Sequence, residues 1–422
     1  MDYQASQQTS AALVAERKAP RATRITRAPG EHILAGSPAV QHAAARGEHW
    51  VSEPTAYDAI VLASFGGPNG QEDVLPFLRN VTAGRGIPDD RLEEVAVHYR
   101  LNGGSSPING QNAALRSRLE SELARRGHAI PVYWGNRNWE PYIWEVVRDA
   151  YEDGHRTLLA VPTSAYSGYS SCRQYREDFA DALEYAQIPE DMRVDKLREF
   201  FDHPGFVTPF IEGLAAAYTQ MWERGFAADE VEVLFTTHSI PNRANELSGP
   251  PELGGGLYLR QHEAVRDAIR SAVEERVGAR LSWQMVFQSR SGPPHIPWLE
   301  PDINDVIETL PGRGRRAVVV VPIGFVSDHM EVLWDLDNEA RATAQQCGLA
   351  FARVSTPETH PAFVAGLADL VEERLEGRPR AQRAHLTEMG PWFDLCPAHS
   401  CRNPHLPELR AIGGFIGEGV EA

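Results

Sequence analysis

No uninterrupted apolar stretch of about 18 residues occurs in this chain, which argues against a membrane-spanning helix. A secretory signal of basic start, apolar core and small-residue cleavage site is also missing, so the expected compartment is the cytoplasm. Cysteine is scarce, four in 422 residues, too few for a disulfide scaffold, and disulfides are not expected in that compartment. Excess positive charge is missing too: 41 Lys and Arg face 58 Asp and Glu, for a formal net charge of −17. That balance argues against a nucleic-acid partner. Surface charges are screened beyond about 10 Å, so an anionic small substrate in a locally basic pocket stays compatible with it. Neither GxGxxG nor a P-loop occurs, which weakens any nucleotide-binding reading. What is present is an ordinary globular composition, 42% hydrophobic and 23% charged, with length for two or three domains.

The chain divides into four regions. Residues 1–55 are rich in Ala, Gln, Ser and Thr with nearly unopposed arginines and no sustained periodicity, and read as a disordered extension rather than a transit peptide. Residues 56–375 alternate strand-like apolar runs with amphipathic stretches, the mark of an α/β architecture. Runs from Asp58, Pro131 and His155 form one series, and runs from Val231, Ser282 and Arg315 a second. Two Rossmann-like lobes, 56–220 and 221–375, each a parallel sheet flanked by helices, would face one cleft. Residues 376–422 form a tail carrying a cysteine pair.

Thr237-His238-Ser239-Ile240-Pro241 and Ser327-Asp328-His329-Met330-Glu331 each follow an apolar, β-branched run. Both should lie at the C-terminal edge of a parallel sheet, where open α/β folds place their chemistry. His238 and Glu331 would then offer one imidazole and one carboxylate to a single crevice, suited to a metal ion, a proton or both. Either residue alone is more often structural. Ser64-Phe65-Gly66-Gly67-Pro68 and the loop from Gly103 to Gly110 place glycines and hydroxyls at strand ends, as ligand contacts or as plain turns. The run Ser164 to Tyr175 gathers three tyrosines, Arg173 and a thiol, which suits an aromatic ligand with acidic substituents. Gly135 to Pro141 and Gln288 to Pro294 are polar strand ends read either as site or as contacts between lobes.

Six of these segments, Ser-Phe-Gly-Gly-Pro, Gly-Gly-Ser-Ser-Pro-Ile-Asn-Gly, Gly-Asn-Arg-Asn-Trp-Glu-Pro, Thr-His-Ser-Ile-Pro, Gln-Ser-Arg-Ser-Gly-Pro-Pro and Gly-Phe-Val-Ser-Asp-His-Met-Glu-Val-Leu-Trp-Asp-Leu-Asp, occur in this order. Together they resemble the ferrochelatases over residues 57–372, most of all the actinobacterial coproporphyrin III enzymes. The resemblance implies a chelatase-type two-lobed fold and a lyase-class enzyme inserting Fe2+ into coproporphyrin III for haem b synthesis, with release of two protons. It implies that His238 is the iron-side imidazole and proton acceptor and Glu331 its carboxylate partner. Ser106 and Tyr175 match porphyrin-contacting positions, and Arg85 and Tyr99 are secondary candidates. Asp335 and Glu339 lie four and eight residues beyond Glu331, an acidic stripe on one helix face that would conduct metal to the ring. A haem-pathway decarboxylase would receive the product.

Some members of this family hold a 2Fe–2S cluster on one upstream and three C-terminal cysteines. Cys172, Cys396 and Cys401 match three of them, and the fourth ligand is unassigned. Cys347 precedes a glycine at a helix end and reads better as a structural thiol. Asn69 stands where some relatives have an iron-binding tyrosine. No strongly apolar lip is evident, which favours the four-carboxylate coproporphyrin over protoporphyrin IX. The competing readings are a protoporphyrin IX ferrochelatase, a cobalt chelatase of related fold, and a non-catalytic haem or metal carrier.

Overall fold

Two short apolar runs, Ala59–Ser64 (β1) and Thr157–Pro162 (β3), lie side by side at the centre of the first sheet, and β1 is buried along its whole length. Strands covered on both faces read as continuous hydrophobic runs, as these do. The computed structural model describes residues 36–84, 86–292, 295–403 and 409–415. Val132–Asn136 (β2) and Arg193–Lys196 (β4) complete a parallel sheet of order β2-β1-β3-β4. The second sheet repeats that order with Val231–His238 (β5), Ser282–Gln288 (β6), Ala317–Val321 (β7) and Ala350–Arg353 (β8), as β6-β5-β7-β8, again all parallel. The α/β class and the duplicated three-run pattern of the sequence are thus realised as two matching sheets, each with a fourth edge strand.

Helices make the crossovers. Val74–Val81 (α2), Asp89–Leu101 (α3) and Ile108–Arg125 (α4) lie between β1 and β2, Ile143–Glu152 (α5) precedes β3, and Gln174–Tyr185 (α6) precedes β4. Pro204–Glu223 (α7) leads to the second sheet, whose crossovers use Asn242–Glu246 (α8), Leu257–Val277 (α9) and Ile303–Thr309 (α10). Helix α11 has α-helical ends, Met330–Val332 and Arg341–Gln346, flanking a π-helical middle, Leu333–Ala340. Pro361–Glu376 (α12) follows β8.

The lobe boundary expected at residue 220 falls inside α7. This helix buries Phe206, Phe210, Leu214 and Tyr218 in a core that also holds Leu62 of the first sheet and Val233 and Val319 of the second. Each such side chain contributes about 1.5–3 kcal/mol when fully buried, which makes α7 shared structure rather than a hinge. Helix α12 returns to the first lobe, where Arg126 meets Asp369 at 2.6 Å and Glu372 at 3.0 Å.

Order begins before residue 56. Residues 1–35 lie outside the described residues, but Pro38–Ala45 (α1), capped by Ser37, buries Ala39, Val40 and Ala43 against Val51 and Leu395. The small apolar set that does this is too sparse to show as a periodic pattern, because its partner is the chain's other end. The tail is folded as well: Trp392, Leu395, Ala411 and Ile412 are buried, and Cys396–Pro397 pairs with Gly414–Phe415. No helix among the described residues is long and apolar enough to cross a membrane.

Candidate active site

His238 is the last residue of β5, opposite Gln288 of β6. Its Nδ1 contacts the Ser239 carbonyl oxygen, which requires the proton on Nδ1 and leaves the Nε2 lone pair facing out of the sheet. Behind the ring, the Tyr258 hydroxyl donates to the His238 carbonyl at 2.8 Å and lies 2.9 Å from the Thr237 hydroxyl, which is 3.0 Å from His262 Nε2. Burial pulls the pKa of His262 down to about 3, so this imidazole is neutral. Gly324, after β7, packs on Thr237, where any Cβ would meet Oγ1 at 2.0 Å. The backbone carrying His238 is therefore fixed from three sides.

Glu331 sits in the first turn of α11, where the helix dipole favours a carboxylate. Its Oε2 lies 3.6 Å from His238 Nε2 and 4.0 Å from Nδ1 of His329, a third member of the group that the sequence reading passed over. Burial, with Glu331 raising it and His238 lowering it, leaves the His329 pKa below the ordinary imidazole range. Gln288 donates to the Glu331 carbonyl at 3.3 Å, coupling the β6 edge to α11. The loop before α11 is anchored by Asp328, which accepts from both terminal nitrogens of Arg353 at 3.2 and 2.9 Å and from Thr356 at 2.9 Å.

Burial pushes Asp335 up to about 7; the Ser289 hydroxyl that bonds it opposes the shift, while Glu331 and Glu339 add to it. All three carboxylates thus lie within electrostatic reach, Glu331 in the α-helical first turn and Asp335 and Glu339 on the π-helical segment. Glu339 is exposed and accepts from the Trp334 indole at 2.7 Å.

From the first lobe, Tyr99 of α3 packs on Phe77, and its hydroxyl pKa is raised by burial and by Glu331 and Asp335, which places it near the acidic group. Beside it, the His98 and Trp334 rings stack at 4.2 Å and 9°, joining α3 to α11. Ser106 is buried against Gly67, where a Cβ would lie 2.6 Å from Ser106 Cβ, so this glycine serves close chain packing. Asn69 is held by Asn109 at 2.8 Å. Tyr175 is set in the first-lobe core, 4% exposed, with the Arg137 guanidinium 3.8 Å over its ring. Arg85 lies outside the described residues. Other polar groups of the tyrosine-rich loop join the lobes: Tyr166 donates to the Ile323 carbonyl at 2.9 Å and stacks on His262, and Ser167 bonds Gln261. Ile87, Val95, Val97 and Leu101 are exposed around α3, interleaved with Glu93, Glu94 and Arg100.

The family model for ferrochelatase matches residues 57–375. The chain belongs to the ferrochelatase family. It is 54% identical over 394 residues to the coproporphyrin III ferrochelatase of Leifsonia xyli subsp. xyli, covering 91% of this chain and 100% of that protein. The coproporphyrin III ferrochelatase of Tropheryma whipplei (strain Twist) is 54% identical over 361 residues, 85% of this chain and 92% of that one. That of Streptomyces griseus subsp. griseus is 51% identical over 358 residues, 83% and 94%. Among solved structures, SirB from Bacillus subtilis with Fe3+ aligns at 13% identity and a TM-score of 0.43, over 78% of this chain and 100% of that chain. As a ferrochelatase the chain is a metal chelatase of the lyase class.

Away from this crevice, three buried thiols lie within electrostatic reach of one another. Cys172 lies in a π turn, Tyr169–Arg173, that leads into α6. Its neighbour Arg173 donates to the Ala398 carbonyl at 2.8 Å, holding the Cys396–Cys401 loop against it. Burial raises all three thiols, Cys396 and Cys401 to about 12. Both terminal nitrogens of Arg176 are buried there without a hydrogen-bond partner among the described residues, as are the hydroxyls of Ser171 and Ser400. Orphaned cationic donors beside thiols fit an anionic, thiolate-held group. Cys347 caps α11 in the second lobe and packs with that lobe's core.

Proposed function

We propose that this ferrochelatase inserts Fe2+ into coproporphyrin III, giving Fe-coproporphyrin III and two protons. The observation that carries the reading is the 3.6 Å approach of His238 Nε2 and Glu331 Oε2 at the edge of the second sheet. Imidazole nitrogen and carboxylate oxygen bind first-row divalent ions at about 2.0–2.2 Å, so one ion spans both groups at that separation. More than half the residues aligned with two coproporphyrin III ferrochelatases are identical, which supports that substrate over protoporphyrin IX.

A free porphyrin carries two pyrrole N–H protons, and both must leave as the metal takes the four nitrogens. The Nε2 lone pair of His238, with Nδ1–H bonded to the Ser239 carbonyl, is poised to accept these protons one at a time and pass each to solvent. Glu331 replaces water on the incoming iron and hands it to the ring. Asp335 and Glu339 extend the carboxylate path outward along α11, and Tyr99, Ser106, Tyr175 and Arg85 form or support the porphyrin side. A cleft complementary to the bent macrocycle accelerates the reaction more than one complementary to the flat substrate.

We infer further that Cys172, Cys396 and Cys401 hold a 2Fe–2S cluster. The group would supply one-electron redox chemistry and a cross-link between the tail and the first lobe. The orphaned Arg176 nitrogens support it, since such a cluster on thiolates is anionic.

The test is anaerobic turnover with Fe2+ and either coproporphyrin III or protoporphyrin IX, followed by metalloporphyrin absorbance. Many turnovers on coproporphyrin, with kcat lowered at least about 100-fold in His238→Ala, is the expected result. Binding without turnover would leave a carrier, faster reaction with protoporphyrin would overturn the substrate, and faster insertion of Co2+ would overturn the metal.

A further inference from the structure

Three thiols leave one corner of a 2Fe–2S cluster unfilled, since each iron takes two protein ligands. Asp394, two residues before Cys396, is engaged already: it accepts from the Val51 N–H at 2.8 Å and from Arg383 at 2.6 Å, and Arg374 stands 3.7 Å away. The Ser400 hydroxyl is neutral, and His399 is partly exposed to solvent. Glu199 differs from these. It lies in the loop after β4, is 2% exposed, and neither carboxylate oxygen takes a hydrogen bond from the described residues. Its nearest charge is the Lys196 ammonium at 3.3 Å. It also lies within electrostatic reach of all three thiols. A buried carboxylate offset by the Lys196 ammonium, with no hydrogen bond among the described residues and within electrostatic reach of three thiols, keeps oxygen lone pairs that a further cation would satisfy.

We propose that Glu199 is the fourth ligand, so that the cluster is held by Cys172, Cys396, Cys401 and one carboxylate oxygen. This rests on the cluster reading above. Among the described residues no group of three or more His, Cys, Asp and Glu side chains converges to hold a metal ion. A binuclear cluster spreads its four ligands over two irons, so it does not need that convergence, whereas a mononuclear zinc site does. Oxygen ligation sets this site apart from one with four thiolates, and Arg176 and Lys196 balance its charge.

The test uses full-length protein purified anaerobically, before and after reconstitution with ferrous iron and sulfide. Its readouts are iron and acid-labile sulfide per chain, visible absorption, and the EPR spectrum of the reduced state. Wild type should hold two irons and two sulfides. Glu199→Ala should lose at least about tenfold of cluster retention, as removal of a ligand does. Glu199→Cys should retain the cluster with absorption and EPR shifted, which keeps the assignment testable if the alanine variant fails to fold. A cluster present in wild type but unchanged in content and spectrum in Glu199→Ala and Glu199→Cys would overturn the Glu199 assignment alone, and its loss in His399→Ala would show where the ligand lies. Wild type without iron and sulfide after reconstitution would overturn the cluster itself.

Discussion

Tyr258 lies behind the His238 ring and holds the peptide that presents it. Its hydroxyl spans the His238 carbonyl and the Thr237 side chain, so removing it frees the edge of β5 without emptying the core. A lost hydrogen bond of this kind is worth about 1 kcal/mol, and tenfold in rate corresponds to about 1.4 kcal/mol. Tyr258→Phe should therefore lower kcat by about fivefold while the KM values for iron and porphyrin stay unchanged; a change in KM alone would mean that the ring shapes the binding cleft instead. The approach of His238 and Glu331 was legible in the sequence because each follows a β-branched run, and strand ends of one parallel sheet share an edge. Tyr258 and His329 were not, since a hydroxyl or imidazole placed behind or beside a site leaves no periodic signal. Tyr175 shows the converse, a residue marked by its motif whose ring lies under Arg137 in the first-lobe core.

At the scale of elements, α11 carries the difference between what the spacing implied and what the backbone does. Residues four apart on an α-helix share a face, and the acidic stripe Glu331, Asp335, Glu339 was read that way. Over Leu333–Ala340 the helix is instead π, a form that appears mostly at functional sites and whose i→i+5 bonding no 3.6-residue pattern encodes. The wider turn keeps Asp335 against Ser289, itself at a positive φ of 61°, while Glu331 reaches His238. Asp335 holds iron on its way to Glu331 in this reading. Asp335→Asn should raise the KM for Fe2+ several-fold and leave the KM for coproporphyrin III alone, measured by varying each substrate with the other saturating. The two parallel sheets were readable because three apolar runs recur in each half. The edge strands β4 and β8, at four residues each, are too short to stand out from their flanks.

Across the whole molecule, buried charge joins residues 37–57 and the segment from α12 to Asp394 to the first lobe. Asp195 of β4 accepts from the Ser37 hydroxyl and Tyr57 at 2.6 Å and from Arg374 at 3.1 Å, while Asp394 binds Arg383, and Arg198 pairs with Glu373 at 2.8 and 3.0 Å. Apart from Asp394–Arg383, these contacts span 138 positions and more, which is why the order of residues 36–55 and of the tail was hidden from local patterns. Breaking such a pair strands its partner, so Asp394→Ala should cost about 3–5 kcal/mol in urea unfolding. The same burial sets the acid response. Burial, aided by Arg198, pulls His203 down to about 3, and burial does the same to His262. Unfolded, both titrate near 6.5. Above that pH neither state binds the proton, and their contribution to stability is fully present. As pH falls from about 6.5 towards 3 the unfolded chain takes up two protons that the folded one refuses, and stability is lost at about 1.4 kcal/mol per pH unit for each histidine. Asp394, where burial opposes ionisation but Arg374 and Arg383 outweigh it, adds a loss in the same direction only below its ordinary range, near pH 4. Urea unfolding at pH 7.5, 6.0 and 5.0 isolates the histidine window. His262→Gln should be less stable than wild type at pH 7.5 yet lose stability more slowly between pH 6.0 and 5.0, by about 1.4 kcal/mol per unit; an unchanged slope would mean that His262 is protonated in the folded enzyme.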